Sequence, residues 1–322
     1  MCTRVLWNSN DLAVFSGRSM DWPESTEPLL VAFPRGRDRD GLNPPGLATD
    51  PNPLKWTSKY ASLVTTLYGL GTVDGLNEKG LTVHALYLQA ADFGARRPGT
   101  PSVAATQWLQ YLLDQAATVT EALALLEKVD ILKVSAHGHD SNLHLAVEDA
   151  GGDSAIVEYV GGHQVVHHGR QFTLMTNDPT YDEQLALLAK QDFSHPASDM
   201  PLPGNVNPVD RFQRAAYYSA LLPEPKSDRE AVAAVMAIMR NVSVPFGAPY
   251  HDFGIYNTEY RTVTDLTNRR YYFELTTSPN VIWVEMDRLN LAAGAPTVAV
   301  DPYDYSLSGD VTDRFTTREM PF

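Results

Sequence analysis

The chain carries one cysteine, and it is the second residue. Methionine aminopeptidase removes Met1 when the next residue is small, and cysteine qualifies. Cys2 would then bear a thiol and a free α-amine together. The amine titrates near ~8 and a free thiol near ~8.5, so the amine can take the proton of its own thiol at neutral pH. An N-terminal amine in this role replaces the separate histidine of other thiol nucleophiles. A lone cysteine also excludes an intramolecular disulfide and a cysteine-based zinc site.

Arg18-Ser19-Met20-Asp21-Trp22 is the next group with chemical potential. Residues 3–7 are β-rich, 8–11 form a turn cluster and 12–16 are β-rich again, so the segment is expected to follow the second strand of a hairpin. An antiparallel hairpin returns that end beside Cys2. Asp21 could then hold the α-amine, and the Arg18 guanidinium would favour the thiolate. The plainer alternative is a surface ion pair worth little.

The elements that must position these residues come in groups. Residues 34–56 read as a long loop; 62–68 and 81–88 read as strands, with a turn at 77–80 where Gly80 is free to take positive φ. Helices are expected at 102–117 and from Thr120, capped by Thr120-Glu121. Strand patterns return at 143–148, 154–159 and 164–167, a short helix at 182–190, a Pro-rich loop at 196–208, and helices at 211–222 and 228–241. Three strand-like runs follow at 260–266, 270–275 and 281–286. Grouped strands and paired helices, with no β-α-β alternation, favour an α+β fold of antiparallel sheets covered by helices.

The 322 residues are 43% hydrophobic and 20% charged, as in ordinary globular proteins, and their length allows one large domain. A formal net charge of −14 argues against nucleic acid and anionic membranes as partners. No apolar stretch reaches the roughly 18 residues of a membrane span. No signal peptide is visible, so the chain as written reads as cytoplasmic; it would be periplasmic if Met1 replaces a removed leader. His137, His139 and His144, or His163, His167 and His168, could suggest a metal site, but histidines on strands are more often surface or hydrogen-bonded residues. Asn241-Val242-Ser243 fits a glycosylation pattern at a helix end.

Five pieces occur in order: Cys2-Thr3, Arg18-Ser19-Met20-Asp21-Trp22, Asn77-Glu78-Lys79-Gly80-Leu81, Thr176-Asn177-Asp178-Pro179-Thr180-Tyr181 and Asp210-Arg211-Phe212. Together they resemble the choloylglycine hydrolase family, which contains bile salt hydrolases and penicillin V acylases. The resemblance implies an N-terminal nucleophile (Ntn) hydrolase fold, an αββα four-layer sandwich in a single domain, ending in an extended tail beyond about residue 290. It implies Cys2 as nucleophile, Arg18 beside it, Asp21 on the α-amine and Arg211 as the second arginine of the site, with Arg214 structural. Asn177 and the backbone N–H of Tyr87 would form the oxyanion hole. No metal or cofactor is implied.

Tyr87 stands where bile salt hydrolases typically have Asn and penicillin V acylases have Tyr. Trp22 and the Trp56-Thr57-Ser58-Lys59-Tyr60 segment resemble the Gram-negative penicillin V acylases, a branch that also cleaves acyl-homoserine lactones. Trp22, Tyr68 and Tyr87 are candidates for the walls of an apolar acyl pocket, with core packing as the alternative for each. Asn177 and Arg211 lie 34 positions apart (211 − 177), without the longer insertion of bile salt hydrolases that helps build their tetramer; a homo-oligomer is left open. The expected partner is a small N-acyl amide. Conjugated bile salts are the second choice of substrate, and a non-catalytic acyl-amide binding protein is the further alternative.

Overall fold

The computed structural model describes residues 1–249 and 254–322. Strand β1 (Cys2–Trp7) and strand β2 (Phe15–Trp22) form a hairpin at the centre of one sheet. Leu174–Met175 flanks β1, and Ile255–Asp265, Arg270–Leu275 and Val281–Glu285 continue antiparallel beyond β2. A second antiparallel sheet runs His163–His168, Ser154–Val160, Leu143–Glu148, Thr82–Tyr87, Gly71–Asn77, Ser62–Leu67, Leu30–Phe33. The C-terminal segment adds Val298–Val300 to the second sheet and Gly309–Asp310 to the first.

Helices α1 (Ala105–Gln115) and α2 (Val119–Leu126) cover the second sheet. Helix α3 (Tyr181–Leu188) packs on α4 (Pro208–Ala220), which with α5 (Asp228–Asn241) covers the first. The layers are therefore helices, sheet, sheet, helices. Each helix turns a stripe at helical spacing inward: Trp108, Leu109, Leu112 and Leu113 of α1, and Ala231, Val235, Ile238 and Met239 of α5, are all buried. Gly17 lets α5 close on β2, since a Cβ there would lie 2.7 Å from Val235 Cγ1 and 2.8 Å from Met239 Cγ.

Several boundaries differ from the sequence reading. Strand β2 starts at Phe15, not residue 12, because the Asn10 side chain accepts from the N–H groups of Leu12 and Ala13 at 2.9 and 3.0 Å and holds a wide turn. The Arg18 to Trp22 segment is consequently part of the strand and does not follow it. Gly71–Asn77 is a strand that the sequence reading lacked; its two glycines and its Asp and Asn look like a turn. Residues 102–104 form a short strand rather than the start of α1. Thr118, not Thr120, caps α2 by accepting from Glu121 N–H. Helix α4 begins at Pro208, with Asn207 as its cap.

Candidate active site

Pairing in β1 and β2 sets Cys2 opposite Met20, Thr3 opposite Ser19 and Arg4 opposite Arg18. Side chains alternate along a strand, so Cys2, Arg4, Arg18 and Met20 share the face toward the second sheet. Thr3, Ser19 and Asp21 share the other face, toward α4. One hairpin thus supplies the thiol to the interior and the carboxylate to the helix layer.

A β-bulge serves both sides. Thr258 pairs with Asp21 and Tyr260 with Met20, leaving Glu259 as the extra residue. Thr258 donates to Asp21 Oδ1 at 2.6 Å, while Arg18 Nη1 donates to the Tyr260 hydroxyl at 2.7 Å on the opposite face. Glu259 is itself buried and accepts from Ser25, Thr26 and Tyr303.

Arg18 Nη2 lies 3.4 Å from Cys2 Sγ and 3.3 Å from the Ala85 carbonyl. Burial by itself would push the guanidinium down, but Tyr260, Cys2 and Asp74 outweigh it and raise its pKa. Arg18 is therefore a permanent cation against the sulfur.

Asn177 follows the Leu174–Met175 strand, whose pairing with β1 carries the chain past Thr3 to Cys2. His144 braces that approach, its ring lying 2.9 Å from both Glu158 Oε1 and the Thr176 carbonyl. Asn177 Oδ1 accepts from Cys2 N at 2.7 Å and from Arg211 Nη2 at 2.9 Å. Its Nδ2 donates to the Tyr87 carbonyl at 2.6 Å. Leu88 N–H bonds the Asn142 carbonyl, so Tyr87, one residue earlier, turns its backbone groups away from that strand, and its carbonyl meets Asn177.

Arg211 reaches up from the first turn of α4, fully buried. Its Nη1 donates to the Cys2 carbonyl and the Thr3 hydroxyl, both at 2.6 Å, and lies 3.4 Å from Asp21 Oδ2. Arg214 donates to the carbonyls of Pro203 and Asn205, tying down the loop before α4.

Asp21 departs from its expected position on the nitrogen of Cys2. With Met1 attached, that nitrogen is an amide with one N–H, and Asn177 takes it. The Asp21 backbone instead pairs with Met1, accepting from the Met1 amine and donating to the Met1 carbonyl. Met1 is buried against Val244 and Tyr256, with Tyr87 beside them.

Cys2 opens on a cleft walled by Trp22, Leu67, Tyr68, Tyr87, Val134 and Leu143. Its walls are mostly apolar, as in sites that take small organic ligands. Trp22 Nε1 donates to the Tyr68 hydroxyl at 2.8 Å, and that hydroxyl donates to Glu24 at 2.6 Å. The Tyr68 ring stacks on His137 with centroids 3.9 Å apart, and Trp22 meets Tyr87 at 5.9 Å. All three proposed wall residues therefore line the same cavity. Of the remaining candidate metal-site histidines, His167 pairs with Asp182 and His168 with Asp153.

Sequence reasoning missed a buried polar cluster on the Cys2 face of the hairpin, formed by Arg4, Asp74, His84 and Glu148. Its signal was polar residues at strand positions where the flanking residues are apolar, as in Val83-His84-Ala85.

Two facing antiparallel sheets between helix layers, with a cysteine at the head of a central strand, define an Ntn hydrolase. Residues 2–313 match the model of the linear amide C–N hydrolases, choloylglycine hydrolase family. The chain belongs to that family and is an amide hydrolase. It is 35% identical over 318 residues to a penicillin V acylase of Pectobacterium atrosepticum, covering 90% of this chain and 82% of that one. The structure of a penicillin V acylase from Agrobacterium tumefaciens superposes with a TM-score of 0.88 at 38% identity, covering 99% and 98% of the two chains. A C2A mutant of a conjugated bile acid hydrolase from Clostridium perfringens shares the fold, with a TM-score of 0.79 at 22% identity and coverage of 96% and 98%. No helix among the described residues is long and apolar enough to cross a membrane.

Proposed function

We propose that Cys2, once Met1 is removed, is the nucleophile for hydrolysis of N-acyl amides with an apolar acyl group, of which penicillin V and long-chain acyl-homoserine lactones are the foremost candidates. The observation that carries this reading is the position of Cys2 Sγ, 3.4 Å from Arg18 and at the floor of the apolar cavity. The Agrobacterium and Pectobacterium penicillin V acylases, similar along most of their length, support the substrate class.

The acyl group enters the cavity against Trp22, Tyr68 and Tyr87. The thiolate attacks the amide carbonyl carbon, forming a C–S bond as the carbonyl π electrons move to oxygen. That oxyanion is met by the second N–H of the Asn177 amide, since only one is spent on Tyr87, and by Tyr87 N–H. The intermediate collapses with cleavage of C–N, and the departing nitrogen takes the proton that the Cys2 α-amine received from the thiol. Water then cleaves the acyl-thioester. Removal of Met1 is required twice over: it turns an amide nitrogen into a base, and it clears the space beside that nitrogen where the leaving amine must pass.

The test is amine release from penicillin V, a long-chain acyl-homoserine lactone and glycocholate, with Cys2→Ala alongside and the N-terminus established by mass spectrometry. Release from either of the first two that vanishes in Cys2→Ala is the expected result. Preference for glycocholate would move the substrate to the bile salts, and release that survives Cys2→Ala would remove the nucleophile.

A further inference from the structure

Arg4 and Arg18 stand directly opposite each other on β1 and β2, an arrangement that repels in isolation. The second sheet resolves it. Glu148 Oε2 lies 2.9 Å from Arg4 Nη2. Asp74 is placed on the Arg18 side: its Oδ2 accepts from Thr262 at 2.8 Å, and Thr262 is the register partner of Arg18. Between the two carboxylates lies His84, with Nδ1 2.7 Å from Asp74 Oδ1 and Nε2 2.8 Å from Glu148 Oε1. The Ser16 hydroxyl closes the ring at 3.0 Å from Nε2. Asp74 also accepts from the Tyr271 hydroxyl at 2.9 Å. All five ionisable side chains, Arg4, Arg18, Asp74, His84 and Glu148, are fully buried.

Charges sealed between two sheets must nearly cancel, because water is not there to compensate. With His84 doubly protonated, this cluster holds three cations and two carboxylates. The charge that balances it is the thiolate of Cys2, against Arg18. With His84 neutral, two cations already match two carboxylates, and a thiolate would be in excess.

We propose that His84 is a positioning residue for the nucleophile: its imidazolium, held between Asp74 and Glu148 in the same buried cluster as Arg18, supplies the buried positive charge that the Cys2 thiolate neutralises. The inference rests on the reading of Cys2 as nucleophile. Burial alone would lower the His84 pKa, yet Asp74 and Glu148 raise it to about 9, so the ring is charged at neutral pH. The other titratable groups near Cys2 are its own α-amine, present in every variant, and Asp21, Arg211 and Tyr260. Asp21 and Arg211 pair with each other on the far side of the sheet, and burial raises the pKa of the Tyr260 phenol, which keeps it neutral.

Because the chain has one cysteine, alkylation by iodoacetamide reads its ionisation directly, and the cavity gives the reagent access. His84→Gln should move the pH midpoint of alkylation upward, slowing the reaction in mildly acidic buffer on the order of tenfold. Asp74→Asn, which removes a negative charge while Glu148 still holds the proton on His84, should move it downward. A structural brace would not give opposite directions. The same shift from both, or an unmoved midpoint in folded His84→Gln, overturns the proposal. If His84→Gln does not fold, Glu148→Gln joins Asp74→Asn, and failure of both to lower the midpoint overturns it equally. Hydrolysis that survives Cys2→Ala would sink the nucleophile reading and this inference together; unchanged midpoints with Cys2-dependent hydrolysis would sink this inference alone.

Discussion

Asn177 Oδ1 accepts from the backbone nitrogen of Cys2 at 2.7 Å, so one side-chain amide is tied to Cys2 before any substrate is present. The Arg211 donor on the same oxygen fixes which way the amide points, and so aims Nδ2 at the Tyr87 carbonyl. If Asn177 is the oxyanion donor proposed above, Asn177→Ala should lower kcat by roughly 100- to 1,000-fold with little change in KM. Steady-state kinetics on the preferred substrate decides this; a change confined to KM would make Asn177 a binding residue.

Cys2→Ser keeps nearly the same volume in a closely packed hairpin, so its thermal unfolding should match the parent. A hydroxyl is far less acidic than a thiol, and the α-amine cannot ionise it to a useful extent. Most activity should be lost. Full activity in Cys2→Ser would contradict the nucleophile assignment whatever the substrate.

The Tyr68 hydroxyl links the wall of the cavity to Glu24 by accepting from Trp22 and donating to the carboxylate. Tyr68→Phe leaves the ring on His137 but removes the hydroxyl's bonds to Trp22 and Glu24. Loss of a hydrogen bond of about 1 kcal/mol should raise KM several-fold for bulky acyl groups and leave kcat nearly unchanged. The readout is KM across a series of acyl chain lengths; a uniform drop in kcat would instead tie Tyr68 to the chemistry.

Much of this site was legible because the hairpin is local. Cys2, Arg18 and Asp21 lie within the first 22 residues, and pairing alone brings them together. Asn177 and Arg211 could be placed only through the family resemblance, since nothing local says that 174–175 pairs with β1. The inter-sheet cluster was illegible for a related reason: Asp74, His84 and Glu148 meet Arg4 and Arg18 only after two sheets face each other. The Gly71–Asn77 strand was lost to its own composition. Gly71 is there because a side chain would collide with the Thr106 carbonyl of α1, a tertiary demand that reads as a turn in the sequence.

The same cluster makes stability depend on pH in two directions. His84 is raised to about 9 from an unfolded value near ~6.5. Its contribution is fully present below the unfolded value and is lost as pH rises through the folded one. Asp74 and Glu148 run the other way. Burial opposes their ionisation, but His84 and Arg18 hold Asp74, and Arg4 and His84 hold Glu148, each at about 2. Their contribution is present above the unfolded values near ~4 and is lost as pH falls through the folded ones. Urea midpoints should therefore plateau in mildly acidic buffer and decline on both sides. In His84→Gln the alkaline decline due to the ring should disappear. The acid decline should shrink but persist, because Arg4 still holds Glu148. An alkaline decline of equal size in both proteins would mean that His84 is neutral in the folded state, and that the third buried cation does not exist.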